Sequence, residues 1–389
     1  MALDSRRIFI STGEVSGDLQ GAMLVEALQQ QAQRNGVKLE ILALGGDRMA
    51  ASGAKLLGNT SGIGSIGLLE SLPFLLPTLR LQQQVRQALQ QHPPDLVVFI
   101  DYLGPNLAIG QFIRQQFSDV PTVYYITPQE WVWSVSLRNT QRIIELSDRL
   151  LAIFPGEASY YQKRGAAVTW VGHPLVDWVQ TAPTREQARV ALGIAPEEVA
   201  IALLPASRQQ ELKSLLPIIF EAARRLQAQI PQVHFWIPLS RDALRSSIEA
   251  AIRTFGLRAS IVPDSRAVIA AADLAIAKSG TANLEIALMD VPQIVLYRVN
   301  PVTAWIARRL LNFSIPFASP PNLLLMEAIV PEFLQEDATA DNLTNCAIDL
   351  LQNPARRQQM LADYARMRQA AGEAGVCDRA AQEIFKLLN

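Results

Sequence analysis

The chain has 389 residues, 49% of them hydrophobic and 18% charged, with a formal net charge of −1 at pH 7. That length predicts two α/β domains of roughly 150 to 200 residues each. The near-neutral charge argues against a nucleic-acid partner, and because no apolar run reaches about 18 residues, we expect no membrane-spanning helix. Arg6 and Arg7 lead directly into a strand and Cys346 and Cys377 stand far apart, so we expect a cytoplasmic protein with free thiols and no signal peptide.

The first predicted strand, residues 7–12, ends in a glycine-containing loop that carries two carboxylates. The loop reads Gly13-Glu14-Val15-Ser16-Gly17-Asp18, and a helix is predicted from about residue 19 to residue 31. Glu14 and Asp18 would repel an anion, but they could hydrogen-bond sugar hydroxyls or act as a base. For Asp18, a plain N-cap is the stronger interpretation.

Two segments have the composition of lipid-facing or partner-facing surfaces. Residues 68–81 are rich in leucine and interrupted by Pro73 and Pro77, which suits a surface that dips into lipid or receives an acyl chain. A buried core helix is the alternative for this segment. Residues 301–317 predict a basic amphipathic helix with Trp305, compatible with a membrane surface or a partner subunit.

Further predicted strands of the first half also end at residues that could bind a ligand or take part in catalysis. Residues 95–100 end at Asp101, at the strand edge where open α/β sheets place ligands. Residues 122–126 lead into a loop with Trp131 and Trp133, which either pack inward or stack on a sugar ring. Polar, proline-marked residues 177–192 predict a linker. We therefore predict domains 1–178 and 179–355, followed by helices 356–389 that pack back on the N-terminal domain or on a partner subunit.

In the second half, two strands end in turns suited to a diphosphate. Residues 199–205 are followed by Ser207 and Arg208, where the guanidinium could contact a phosphate or simply lie on the surface. Residues 273–277 break into Ser279-Gly280-Thr281 before a helix whose free N–H groups could bind an anion, while Glu285 could accept hydrogen bonds from a ribose diol. An ordinary strand-to-helix turn with a capping serine and a solvated glutamate fits this spacing equally well.

The sequence lacks the signature motifs of several classes of enzyme and metal site. There is no GxxxxGK[ST] motif, no Gly-x-Ser-x-Gly elbow, no Asp-x-Asp pair after a strand, and no metal-binding spacing among His92, His173 and His234. We therefore expect neither a metal nor another cofactor. A bound diphosphate would then be neutralised by Arg208 and helix ends.

Ordered motifs along nearly the whole chain resemble those of the lipid-A-disaccharide synthase family, glycosyltransferase family 19. The matching stretches are Gly13-Glu14-Val15-Ser16-Gly17-Asp18, Tyr125-Ile126-Thr127-Pro128, Trp131-Val132-Trp133, Phe154-Pro155 with Glu157, Val171-Gly172-His173-Pro174-Leu175 with Asp177, Leu204-Pro205-Ala206-Ser207-Arg208, Ser279-Gly280-Thr281-Ala282 with Leu284-Glu285, Tyr297-Arg298 and Pro321-Asn322-Leu323-Leu324. The resemblance implies an α/β protein of GT-B fold, with two Rossmann-like, doubly wound parallel-sheet domains facing across a cleft.

The resemblance also implies an inverting hexosyltransferase that joins UDP-2,3-diacylglucosamine to 2,3-diacylglucosamine-1-phosphate, giving lipid A disaccharide and UDP. By this likeness the UDP moiety is held by Ser207, Arg208, Ser279, Gly280, Thr281, Glu285 and Asn322. The first-half loops, with Gly13, Ser16 and Asp18, would hold the lipid acceptor. It further implies a homodimer that contacts the inner membrane peripherally from the cytoplasm.

One departure from the family pattern bears on the general base. The family pattern after the strand at residue 95 resembles Asp-Ala-Pro-Asp-Phe-Asn, whereas this chain has Asp101-Tyr102-Leu103-Gly104-Pro105-Asn106. Gly104 replaces the second aspartate, so Asp101 or Glu14 would deprotonate the acceptor. The alternatives are a GT-B transferase or epimerase acting on another UDP-sugar, and a non-catalytic UDP-sugar-binding or lipid-binding paralogue that lacks the base.

Overall fold

The computed structural model describes residues 5–60, 75–132, 137–206, 209–239, 241–298 and 316–388. The chain divides into two compact units. Unit 1 comprises Met1–Asp177 and Ala371–Asn389, and unit 2 comprises Trp178–Ala370. Residues 356–370, which the sequence assigned to a separate C-terminal segment, therefore belong to unit 2, and the last residues belong to unit 1.

Unit 1 is built on a seven-stranded parallel sheet in the order β3-β2-β1-β4-β5-β6-β7. The strand β4 reads Leu-Val-Val-Phe-Ile and is buried at every position, as expected of a parallel strand covered on both faces. The strands are β1 (Ser5–Thr12), β2 (Lys38–Gly45), β3 (Lys55–Asn59), β4 (Leu96–Ile100), β5 (Thr122–Tyr125), β6 (Arg149–Ala152) and β7 (Val168–Trp170). The helices between and after them are α1 (Glu14–Arg34), α2 (Asp47–Ala51), α3 (Leu75–Gln91), α4 (Leu103–Gln116), α5 (Leu137–Leu146), α6 (Pro155–Gln162) and α7 (Leu175–Val179), whose last two residues open unit 2.

Unit 2 repeats the same architecture with a six-stranded parallel sheet in the order β10-β9-β8-β11-β12-β13. Its strands are β8 (Val199–Leu204), β9 (Val233–Pro238), β10 (Ala259–Val262), β11 (Leu274–Lys278), β12 (Gln293–Tyr297) and β13 (Glu332–Leu334). Its helices are α8 (Arg185–Leu192), α9 (Gln209–Gln229), α10 (Arg245–Phe255), α11 (Ser265–Ala271), α12 (Ala282–Leu288), α13 (Pro320–Leu325), α14 (Ala340–Gln352) and α15 (Pro354–Ala371), whose last residue belongs to unit 1.

Each sheet has one point at which the strand order reverses. In unit 1 that point lies between the neighbouring strands β1 and β4, and in unit 2 between β8 and β11. Open α/β sheets bind ligands beyond the carboxyl ends of the strands at such a switch point. The loops that follow these four strands are therefore where a site is expected.

The chain closes with α16 (Val376–Phe385), which packs on α1 in unit 1. The Asp177 carboxylate accepts hydrogen bonds from the backbone N–H groups of Gly375, Val376 and Cys377, at 2.6, 3.1 and 2.8 Å. A carboxylate at this position satisfies donors that the first helical turn leaves unpaired and interacts favourably with the helix dipole.

Both segments for which the sequence suggests contact with lipid or a partner lie partly outside the described residues. Residues 68–74 of the leucine-rich segment and residues 301–315 of the predicted amphipathic helix are not described. The remainder of the leucine-rich segment enters α3, where the side chains of Leu76 and Leu79 are 66% and 59% exposed, so these two positions do not belong to a buried core. Among the described residues, no helix is long and apolar enough to cross a bilayer.

Candidate active site

Residues with left-handed backbone geometry cluster at the carboxyl ends of β1, β4 and β5. Their φ angles are 67° at Glu14, 46° at Asp101, 53° at Tyr102 and 63° at Ile126. Positive φ is unfavourable for residues with a side chain, above all for β-branched isoleucine, and such strain concentrates at functional sites. Because Thr12 of β1 pairs with Ile100 of β4, the residues that follow these two strands start from the same edge of the sheet.

The strained backbone at Asp101 is fixed by buried side chains. The carbonyl oxygen of Asp101 accepts hydrogen bonds from Asn106 Nδ2 at 2.7 Å and from the Tyr124 hydroxyl at 2.8 Å. Asn106 is fully buried and accepts a 2.7 Å bond from the Ser11 hydroxyl of β1. The backbone N–H of Asp101 donates to the Ile126 carbonyl oxygen at 2.8 Å. These contacts hold the Asp101 backbone in one conformation at the switch point.

The Asp101 carboxyl group has an unusual acidity. Burial raises its pKa from 3.8 to about 7, and the negative charges of Glu14 and, to a smaller extent, Glu157 contribute in the same direction. A carboxyl group with a pKa near neutrality exchanges its proton at physiological pH, which is the property required of a general base. Asp101 is thus equipped for proton transfer at this position.

The other predicted residues of the first loop have mainly structural contacts. A Cβ atom added at Gly13 would lie 2.4 Å from Cδ2 of Tyr102, so glycine allows the loop to pack against that ring. Asp18 is 5% exposed and accepts hydrogen bonds from the N–H groups of Gly46, Arg48 and Met49 at 2.8, 3.2 and 3.1 Å. Asp18 therefore binds the N-terminus of α2 rather than capping its own helix, which begins at Glu14 and not near residue 19. Ser16 lies partly buried in the first turn of α1.

A buried glutamate connects the loops after β5 and β6. Glu157 is fully buried and accepts hydrogen bonds from the Thr127 N–H and hydroxyl at 2.9 and 2.5 Å, and from the N–H groups of Ile153 and Phe154 at 2.8 and 3.2 Å. Burial raises the pKa of Glu157, although these donors oppose the shift. In the same loop Trp131 packs inward, with its ring centroid 5.4 Å from that of Phe154.

In unit 2, the turn after β11 is anchored by contacts other than those expected. Ser279 Oγ donates to the Ala318 carbonyl oxygen at 2.5 Å, and Thr281 makes no capping hydrogen bond at the start of α12. Instead, Asn283 Oδ1 accepts the Gly280 N–H at 2.7 Å. The Lys278 ammonium lies 3.0 Å from the Glu211 carboxylate. The interpretation of this turn as one capped by a serine is wrong.

Glu285 and Asn322 are both buried. Glu285 is 7% exposed and accepts a hydrogen bond from Trp178 Nε1 at 3.0 Å, so the alternative of a solvated glutamate is also wrong. Asn322 is 1% exposed, and its amide makes four hydrogen bonds, to the Val330 carbonyl oxygen, the Glu332 carboxylate and the N–H groups of Ile329 and Val330. The same Glu332 carboxylate accepts the Ala318 N–H, so Asn322 acts through Glu332 on the segment that receives the Ser279 hydroxyl. Ser207 and Arg208 lie outside the described residues.

Comparison with known proteins assigns the family. A family model described as lipid-A-disaccharide synthetase matches residues 8–386. The lipid-A-disaccharide synthase of Gloeothece citriformis is 56% identical over 380 residues, covering 97% of this chain and 99% of the relative. The chain belongs to the lipid-A-disaccharide synthase family. A second member of this family, from Synechocystis sp., is 52% identical over 386 residues and covers 98% of each chain.

The fold of this lipid-A-disaccharide synthase family member agrees with the sequence-based prediction. A solved structure described as an S. aureus MnaA–UDP co-structure superposes with a TM-score of 0.68 at 15% identity, covering 98% of this chain and 96% of that one. Together with the two parallel-sheet units, this confirms the GT-B fold. The predictions of the family and of a hexosyltransferase are confirmed by the family model and the curated relatives.

Sequence reasoning missed three residues that the structure brings to these sites. Asn106 and Tyr124 hold the Asp101 backbone, and Trp178 contacts Glu285. Asn106 closes the quoted Asp101-to-Asn106 stretch and could have been found as a polar residue in an apolar helix. Trp178 gave no signal, because it lies 107 residues from Glu285 in the sequence.

Proposed function

We propose that this protein transfers 2,3-diacylglucosamine from its UDP conjugate to the 6-hydroxyl of 2,3-diacylglucosamine-1-phosphate. Asp101 accepts the proton of the 6-hydroxyl as the oxygen attacks C1 of the donor. The bond from C1 to the diphosphate breaks with inversion, UDP leaves, and a β-1,6 disaccharide forms. The observation that carries this proposal is the Asp101 carboxyl at the switch point of the first sheet, with a pKa raised to about 7.

The second sheet would bind the donor nucleotide. Ser279, Gly280 and Thr281 follow β11, and Ser207 and Arg208 follow β8, the strand paired with it. Hydrogen-bond donors and a guanidinium at this switch point would stabilise the negative charge that develops on the leaving UDP. Glu285, buried one helical turn beyond Thr281, would accept hydrogen bonds from the ribose hydroxyls. Asn322 would support this site by bracing the segment that contacts Ser279.

The acceptor loops would be those of unit 1, with Gly13, Glu14, Ser16 and Asp18 around Asp101. Glu14 contributes to the raised pKa of Asp101 and so favours its protonated form after proton transfer. A diacylated acceptor is presented by a lipid surface, and the exposed Leu76 and Leu79 of α3 would contribute to contact with the inner membrane. A homodimer is part of the same proposal and can be checked by sedimentation.

The reaction itself is the test of this proposal. The purified protein should convert UDP-2,3-diacylglucosamine and 2,3-diacylglucosamine-1-phosphate to disaccharide and UDP, detected by mass spectrometry. Epimerised donor without disaccharide would favour the epimerase alternative, and UDP binding without turnover would favour a non-catalytic protein. Either result would overturn the proposal.

The Arg208→Ala variant tests the donor half separately. Loss of a charge-assisted hydrogen bond to the diphosphate should weaken UDP binding by about 1.5–3 kcal/mol. Calorimetry with UDP and with uridine distinguishes the causes, because uridine lacks the phosphates and its affinity should stay unchanged. Equal UDP affinity in a folded variant would remove Arg208 from the site.

A further inference from the structure

A lysine stands directly before the turn proposed to bind the donor diphosphate. Lys278 is the last residue of β11, and Ser279-Gly280-Thr281 follow it at the switch point of the second sheet. A Cβ atom built on Gly280 would lie 3.4 Å from the Lys278 Nζ atom, so the ammonium group lies against the turn. The Lys278 side chain is 18% exposed. A positive charge largely shielded from solvent is therefore found at the strand end where open α/β sheets bind ligands.

The Lys278 ammonium has little hydrogen bonding for a group so shielded from water. Among the described residues, its hydrogen-bond acceptor is the Glu211 carboxylate, at 3.0 Å. An ammonium group carries three N–H donors, so two of them remain for a ligand or for solvent. The guanidinium of Arg185, at the opposite end of β11, donates both to the Asp273 carboxylate and to the Ala272 carbonyl oxygen. Arg185 is thus engaged by several protein groups, whereas Lys278 keeps most of its donor capacity.

The carboxylate that pairs with Lys278 comes from the neighbouring strand-to-helix connection. Glu211 lies in the first turn of α9, which follows β8, and β8 pairs with β11 through Leu204 and Ala277. The ion pair therefore joins the two connections at the switch point. The Glu211 side chain is 12% exposed. Taking two charges out of water costs free energy that their attraction often fails to recover, so stability alone is a weak reason for such a pair.

We propose that Lys278 binds the diphosphate of the nucleotide-sugar donor through its ammonium group, while the Glu211 carboxylate holds that group at the turn. The inference rests on the proposed function, because it takes the turn after β11 as the diphosphate site. A lysine binds phosphate as a compact point charge, and its remaining N–H groups would donate to phosphate oxygens. The same charge would stabilise the diphosphate as it leaves C1 and gains negative charge.

Lys278→Met tests this role, because methionine removes the charge and keeps a long unbranched side chain. Calorimetry should show UDP binding weakened about 10- to 100-fold, the effect of losing a hydrogen bond from a charged group. The dissociation constant of uridine, which lacks phosphate, should change less than about twofold. The readout is the ratio of the dissociation constants of uridine and UDP, which should fall. An unchanged UDP affinity, or equal weakening of UDP and uridine, would overturn the inference.

Glu211→Gln distinguishes a phosphate ligand from a structural ion pair. Glutamine keeps an acceptor for the Lys278 N–H and removes a negative charge that repels phosphate, so UDP should bind at least as tightly as to the wild type. If the pair only held α9 against β11, both variants would weaken UDP binding, which would contradict the inference. Should Lys278→Met fail to fold, Lys278→Met/Glu211→Gln removes both charges together. That double variant should show the same fall in the ratio, and an unchanged ratio would overturn the inference.

The ion pair at the amino end of β11 provides a matched control. Asp273 directly precedes β11, and its Oδ1 atom lies 2.6 Å from Arg185 Nη2. Arg185→Met breaks an ion pair at the same strand but at the end away from the turn, so the ratio should keep its wild-type value. A similar fall in this variant would assign the effect to general loosening of the sheet and overturn the inference.

The remaining outcomes separate this inference from the proposed function. A wild-type protein that does not bind UDP would overturn both. A wild type that binds UDP, with Lys278→Met binding it equally well, would overturn the role of Lys278 alone. If UDP affinity depends on Lys278 but the protein forms no disaccharide, the inference is supported and the proposed transfer reaction is wrong.

Discussion

The acidity of Asp101 predicts the pH dependence of the reaction. A general base acts only when deprotonated, and the pKa of this carboxyl is raised to about 7 by burial and by the charge of Glu14. The rate at low substrate concentration should therefore rise about tenfold per pH unit below that value and level off above it.

Asp101→Asn keeps the size of the side chain and suits positive φ, yet it should lower kcat by about 10² to 10⁴ while UDP affinity is retained. An unchanged kcat would assign the proton transfer to another group.

The same pKa predicts a gain in stability when Asp101 is replaced. The pKa of about 7 in the folded protein exceeds the ordinary aspartate pKa of 3.8, so the unfolded chain binds fewer protons between these two pH values. Stability contributed by the protonated carboxyl is complete below about pH 3.8 and is lost as the pH rises through about 7. Asp101→Asn should consequently raise the melting temperature relative to the wild type, by more at pH 8.5 than at pH 4. Calorimetric scans at the two pH values check this, and an equal difference at both would contradict it.

Gly104 allows a direct test of whether the aspartate missing from the family pattern matters. A Cβ atom at Gly104 would meet nothing within 4 Å among the described residues, so the side chain of Gly104→Asp can be accommodated. Because Asp101 already has the acidity of a base, we expect kcat to change less than about tenfold, which is below the range typical for a general base. Gly104→Asn serves as the uncharged control. A large rise in kcat in Gly104→Asp but not in Gly104→Asn would mean that the base is absent from the present sequence.

At the scale of elements, the segment around α13 is fixed by one buried amide. Asn322 satisfies the N–H groups of Ile329 and Val330 and donates to Glu332, which in turn accepts the N–H groups of Ala318 and Ser319. Asn322→Ala should lower the free energy of unfolding of unit 2 by about 1–3 kcal/mol, because it leaves buried groups unpaired. Urea titration measures this. Asn342→Ala, at a partly exposed amide that donates to the Asp337 carbonyl oxygen, should cost less. Equal losses of unfolding free energy in the two variants would mean that burial of the Asn322 amide does not increase the cost of removing it.

The regular elements could be predicted from sequence because their signals are local. The continuous apolar runs of β4 and β11 identify buried strands without any tertiary information. The contacts that shape the sites join residues far apart in the chain, such as Glu157 with Thr127 and Asn106 with Ser11. No spacing rule predicts such pairs. For the same reason the sequence favours Asp18 as a cap of its own helix, although in the structure the Asp18 carboxylate accepts hydrogen bonds from backbone N–H groups of residues from Gly46 onward.

At the scale of the whole molecule, the last residues of the chain, Ala371–Asn389, belong to unit 1 together with the N-terminal part of the chain. Sequence allowed residues 356–389 to pack on the N-terminal domain or on a partner subunit. In the structure the division falls later, at residue 371, because α15 is bound to unit 2, for example by the hydrogen bond from Arg357 to the Asp273 carbonyl oxygen, while α16 packs on α1. The Asp177 carboxylate and the α16 N-terminus come together only in the folded chain. Helical periodicity alone does not say which neighbour a helix has.

This division predicts that the end of the chain stabilises unit 1 without affecting the nucleotide site. Ile384 of α16 is fully buried, and Ile384→Ala should lower the free energy of unfolding of unit 1 by about 2–5 kcal/mol, through lost burial and the cavity left behind. UDP affinity at a temperature where both units are folded should be unchanged.

Ile219→Ala, at an equally buried position in α9, is the counterpart in unit 2. Because a ligand stabilises only the state that binds it, UDP at about 100 times its dissociation constant should restore about 2.7 kcal/mol to the transition of unit 2 and nothing to that of unit 1. Calorimetric scans of both variants with and without UDP give the comparison. Rescue of Ile384→Ala by UDP would show that the two units unfold together, which contradicts the prediction.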